Sequence, residues 1–123
     1  MPRFYFRIDN QTAGAVNALP NVIPPAWIIA MPSPIAVNTI ATVILDVPQP
    51  HADAPPAAGF FRYQPAAGGT YQINFAVPPV GGGAPNAAGK YVPPPAGGNV
   101  VMAPGPCPPG APAGSTCYNV TFS

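Results

Sequence analysis

The sequence predicts an all-β fold, a small antiparallel β-sandwich or jelly-roll-like domain of about six to eight short strands with long Pro/Gly-rich loops. Three observations predict it. Apolar residues recur at every second position in several runs, the period of a half-buried strand. The 22 Pro and 13 Gly fall in clusters between those runs, where turns belong. Hydrophobic residues make up 48% and aromatics 10% of the chain, far above the content of disordered polar tracts, although Pro and Gly at this density are otherwise a mark of disorder.

The first strand starts near the N-terminus, with Phe4, Phe6 and Ile8 on one face and Arg3, Tyr5, Arg7 and Asp9 on the other. Asn10 to Leu19 is free of Pro and rich in Ala, so a turn or two of helix is expected there, weakened by Gly14 and two Asn. Ala26 to Met31 is a short strand cut by flanking Pro. Ile35 to Val47 (IAVNTIATVILDV) is rich in β-branched residues and apolar on both parities, and predicts a central strand covered on both faces. Gly59 to Gln64 and Thr70 to Val77 flank the loop Pro65 to Gly69 and form a β-hairpin. In its second strand Tyr71, Ile73, Phe75 and Val77 face the core, and Thr70, Gln72, Asn74 and Ala76 face out. Asn99 to Ala103 is a weaker strand. The last places Tyr118, Val120 and Phe122 inward. Residues 1–123 read as one β domain, with Pro-rich connections at 48–58, 78–89, 93–98 and 104–114. The stretch Phe60 to Val77, FFRYQPAAGGTYQINFAV, resembles the part of C1q/TNF-like jelly rolls in which a strand, a Pro, an Ala-Gly turn and a second Gly/Tyr/Phe strand follow one another. That resemblance spans 18 residues and implies a β-sandwich.

Charge narrows the function classes. Four basic residues (Arg3, Arg7, Arg62, Lys90) meet three acids (Asp9, Asp46, Asp53), with no Glu and a single histidine, His51. A net charge of +1 cannot neutralise a run of phosphates, so no nucleic-acid partner is expected. No apolar stretch reaches the ~18 residues of a spanning helix, so no membrane insertion is expected. Met1-Pro2-Arg3 leads straight into the first strand, with Asp9 where an apolar signal core would continue, which reads as synthesis in a cytosol without a signal peptide, or as a chain already in its mature form.

The chemistry-bearing residues are few. Cys107 and Cys117 bracket the loop PPGAPAGST, and a disulfide between them would tie down the last strand by about 2–3 kcal/mol in the chain-entropy model. Two Cys and one distant His are too few for zinc. His51 near Asp46 and Asp53 reads as a solvated loop residue, because Pro48 and Pro50 hold that stretch extended. Ser33, Ser115 and Ser123 lack a nucleophile-elbow context, and three Asp leave almost no acid/base pair. Gly81-Gly82-Gly83 lacks the Lys-Ser/Thr of a phosphate loop and reads as a flexible loop. Asn10-Gln11-Thr12 and Asn119-Val120-Thr121 match the glycosylation acceptor pattern, relevant only on a secretory route. Tyr5, Tyr63, Tyr91 and Trp27 either form a stacking platform or belong to the core.

The expectation is therefore a non-enzymatic structural subunit of a large assembly, without cofactor, metal or small-molecule substrate. A minor capsid or cement (decoration) protein of a virion fits best, its partners being the major coat protein and/or copies of itself. The alternatives are a β-sandwich ligand-binding or adhesin module, or a subunit of a surface filament, either placing the chain at a cell surface. An exposed plane of three aromatics would favour the binding module; inward aromatics would favour the structural role.

Overall fold

The computed structural model describes residues 3–20, 23–93 and 97–123. Nine strands follow one another in these residues: β1 (Arg3–Asn10), β2 (Val16–Ala18), β3 (Ile28–Ala30), β4 (Thr39–Asp46), β5 (Ala57–Pro65), β6 (Thr70–Val77), β7 (Asn86–Val92), β8 (Val100–Pro104) and β9 (Thr116–Phe122). They form a five-stranded sheet in the order β3-β4-β1-β9-β8 and a four-stranded sheet in the order β2-β5-β6-β7. All pairs are antiparallel except β1 with β9, which run parallel from Phe4 beside Thr116 to Asn10 beside Phe122. The fold is the small all-β sandwich that the period-two alternation predicts.

The core lies between the sheets because each strand turns one parity inward. From the five-stranded sheet come Phe4, Phe6, Ile8, Val43, Leu45, Val120 and Phe122, and from the other Phe61, Tyr63, Tyr71, Ile73, Phe75 and Val77, all buried. Aromatic rings make the central contacts. Phe6 stacks between Phe4 and Tyr118 at centroid distances of 5.5 and 5.7 Å, Phe61 meets Phe6 edge-on at 5.3 Å, and Tyr71 stacks on Phe122 at 4.7 Å. Offset and edge-on contacts of this kind add about 0.5–1.5 kcal/mol each beyond area burial.

Three elements differ from the sequence reading. The expected helix at Asn10 to Leu19 is absent: a turn leads into β2, because Asn10 is buried and its side chain binds the backbone around it. Its amide donates to the carbonyls of Gly14 and Ile35, both at 2.9 Å, while its Oδ1 accepts from the N–H of Thr12 at 3.0 Å and the Thr12 hydroxyl at 2.6 Å. Local side-chain bonds of this type compete with the helix ladder. The stretch Ile35 to Val47 is a strand only over β4, and only one face of it is covered: Val43 and Leu45 are buried, whereas Ile40 is 44% exposed. Its β-branched run reflects strand propensity rather than two-sided burial. The connection read at 78–89 is shorter, since β7 begins at Asn86. Small residues alternating with polar ones gave too little hydrophobic signal there. Gly81-Gly82-Gly83 lies in the loop between β6 and β7, where Gly82 donates to the carbonyl of Pro79 at 2.8 Å, with Gly81 at φ 84°.

Candidate interaction surface

Strand register places the outward side chains in rows. On the five-stranded sheet Ile40, Asp9, Thr121 and Val101 lie abreast, then Thr42, Arg7, Asn119 and Ala103, then Ile44, Tyr5 and Cys117, and finally Asp46 beside Arg3. Two bases and two acids share this face, and Arg3 pairs with Asp46 at 3.6 Å. Both residues are partly exposed, so solvent leaves the pair worth little stability. Between these charges stand apolar groups: Ile40 and Val101 are exposed on this sheet, Ile29 on β3, and Val37 just before β4.

The outer face of the four-stranded sheet has a different chemistry. Asn17, Gln64, Gln72 and Asn74 supply amides, and its two charges, Arg62 and Lys90, flank Gln72 on neighbouring strands. Arg62 lies over the Phe60 ring, 5.4 Å from its centroid, and donates to the carbonyl of Pro20 at 3.0 Å. Among the described residues no carboxylate side chain stands on this face. The molecule's near-zero net charge thus divides into a balanced face and a weakly cationic one.

A covalent strap crosses the first face. Cys107 and Cys117 are joined, their Cα atoms 5.3 Å apart. The loop between them is built from two consecutive turns. Ala111 donates to Pro108 and Ser115 to Pro112, both at 3.2 Å, with Gly110 and Gly114 at φ 86° and 82° in the third position of each. Glycine adopts that left-handed backbone without steric cost, and Pro109 before Gly110 presets the turn. Prolines that read as disorder by composition therefore form a stitched, ordered arm. Under it runs a groove of about 530 Å³ lined by Tyr5, Arg7, Thr42, Pro106, Cys107 and Asn119.

A second groove, of about 730 Å³, was not legible in the sequence. Thr12, Gly14, Gly68, Tyr71, Tyr91 and Gly98 line it. Tyr91 fits there because Gly69 and Gly98 lack side chains; a Cβ at either would overlap its ring. The glycines, read as turn residues, serve here to seat an aromatic ring.

The remaining sequence candidates do not converge. His51 and Asp53 are exposed on the 48–56 connection, while Asp46 turns to Arg3. Among the described residues no three His, Cys, Asp or Glu side chains come together. Ser33 Oγ accepts from the N–H of Ala18 at 2.9 Å, and Ser115 Oγ donates to Pro112 at 2.7 Å. Asn10 of the first glycosylation pattern is buried with its amide engaged, so the folded chain cannot offer it as an acceptor. Asn119 of the second is exposed.

Tyr5, Tyr63, Tyr91 and Trp27 do not form a platform. Tyr63 is fully buried and donates to the carbonyl of Pro32 at 2.7 Å, and burial pushes its phenol well above the ordinary value. Tyr5 lies beneath the strap, Tyr91 packs on Tyr71 at 5.0 Å, and Trp27 sits in a 3-10 turn against the core. None of the twelve aromatic side chains is exposed.

No protein-family model matches the sequence, and no curated protein matches it. Among the described residues no helix is long and apolar enough to cross a membrane.

Proposed function

We propose that this chain is a non-enzymatic structural subunit of a large protein assembly, best read as a minor capsid or cement protein of a virion, held by contacts with the coat protein and/or with its own copies. The observation that carries the reading is the division of its apolar residues. Every aromatic side chain is buried or half-buried, while Ile29, Val37, Ile40, Val80, Val92 and Val101 stand exposed among only seven charged side chains. An isolated soluble domain carries a far denser charged surface. Aliphatic residues dispersed over two faces and several loops suit broad contact with neighbours, and offer little purchase to a single small ligand. The ordered Pro/Gly arms add to this: turns closed by their own hydrogen bonds lose little entropy when they lie on a neighbour. An exposed plane of three aromatics would favour the binding-module alternative, and no aromatic side chain is exposed.

Mass spectrometry of particles purified from the source organism tests the proposal. The chain is expected at fixed stoichiometry with a coat protein through density-gradient purification. Recovery only in the particle-free fraction, as a dispersed monomer, would overturn it.

A further inference from the structure

The two sheets have four edges, and among the described residues three of them are blunted. On β2 three of the four outward backbone groups are satisfied: Val16 and Ile35 exchange bonds at 3.0 and 2.9 Å, and the N–H of Ala18 reaches Ser33 Oγ. β3 has three residues, a register shift between Ile28 and Ala30, and prolines before and after it. β7 carries the exposed Lys90. Short length, bulges, Pro and Lys are the devices by which sheets avoid pairing with other chains. The fourth edge, β8, has none at its centre, and the chain from Tyr91 to Ser123, 33 residues, contains no Asp, Glu, Lys, Arg or His.

The hydrogen-bonding parity of β8 follows from its neighbours. Asn99 and Ser123 exchange bonds at 2.8 and 3.0 Å, and Gly105 donates to Cys117 at 3.0 Å. Odd-numbered residues therefore face β9, and Val100, Met102 and Pro104 direct their backbone groups away from the sheet. That edge offers two donors, the N–H groups of Val100 and Met102, and three carbonyl acceptors. Pro104 lacks an N–H, and its place at the open edge removes no bond to β9.

We propose that β8 pairs antiparallel with β8 of a second copy about a two-fold axis at Met102. In this register all five residues of each strand overlap. The two Met102 residues exchange both bonds, and each Val100 N–H meets the partner copy's Pro104 carbonyl, so every outward donor is used. The missing Pro104 N–H leaves a single acceptor per copy, the Val100 carbonyl, without a partner. On the outer face Val101, 53% exposed, lies opposite Ala103 of the other copy, and the two five-stranded sheets become one continuous sheet. A self-complementary edge gives a closed two-fold dimer and not an open filament. The inference concerns self-association alone and stands whichever particle, if any, holds the chain.

The test is sedimentation equilibrium of the full chain up to millimolar concentration, with two surface variants. Wild type is expected to form dimers, Val101→Lys to lose at least tenfold in association, and the double variant Val101→Lys/Ala103→Asp to recover it, because each Lys then faces an Asp across the seam. Circular dichroism identical to wild type shows that both variants fold, their positions being exposed. A wild type that stays monomeric, a dimer indifferent to Val101→Lys, or a double variant that fails to recover would overturn the pairing.

Discussion

Two irregular segments are fastened to the five-stranded sheet by opposite devices. The turn between β1 and β2 hangs on one buried amide, Asn10, which binds Gly14, Ile35 and Thr12 from inside the fold. The strap after β8 is held from outside by a disulfide and two glycine turns, with most of its residues exposed. The inner fastening works only while water is excluded, since each of its bonds competes with solvent. The outer fastening is covalent and indifferent to burial, but depends on redox state. A chain with so little charge has no ion-pair network for either task.

Replacing Asn10 should separate the two most sharply. Asn10→Leu removes the amide's bonds to the Gly14 and Ile35 carbonyls, which keep the Thr12 hydroxyl and the Val16 N–H as donors, and leaves the Thr12 N–H without its partner. A loss of about 3 kcal/mol is expected in a urea titration, at about 1 kcal/mol per lost bond and about 1–3 kcal/mol for an orphaned group. A loss under about 1 kcal/mol would mean that water reaches the turn. Removing the disulfide by Cys107→Ser/Cys117→Ser should cost about 2–3 kcal/mol. Reductant should reproduce that cost in wild type and leave the double variant unmoved.

Base should act on the inner side alone. The Tyr63 phenol, buried and bonded to Pro32, keeps its proton past the ordinary value of 10 that the unfolded chain retains. Its contribution is therefore full below pH 10 and lost as pH rises further. At one pH unit above that value it favours unfolding by about 1.4 kcal/mol. Tyr63→Phe should flatten the fall in urea midpoint over this range, leaving a smaller slope from Tyr71, whose phenol is also raised by burial and by Tyr91. The smallest effect belongs to the strap: Gly110→Ala, at φ 86°, should lower stability by about 1 kcal/mol without disturbing the disulfide. Equal loss in the oxidised and reduced protein would show that the turn forms without the covalent closure.

Much of the fold was legible because the pleat has a period of two. Phe4-Phe6-Ile8, Tyr71-Ile73-Phe75-Val77 and Val120-Phe122 all face inward as their alternation requires. Turn chemistry was equally local, since Pro followed by Gly fixes a backbone path within four residues. The cysteine pair was legible from its bracketing of a single loop. β7 escaped notice because Ala87 and Gly89 carry almost no hydrophobic signal, and Gly89 is small only because Val100 and Met102 press on it from β8.

What the sequence determined by itself was thus the class of fold, the inward parity of its strongest strands, the turns and the scarcity of charge. These follow from interactions spanning a few residues and from counting. The tertiary structure alone decided that Asn10 would be buried and halt a helix, that β1 and β9 would run parallel, that the balanced and the cationic faces would separate, and that β8 would stand at a sheet edge. Each depends on which distant strand becomes a neighbour, and pairing across the chain is set by the packing of the whole core rather than by any local pattern.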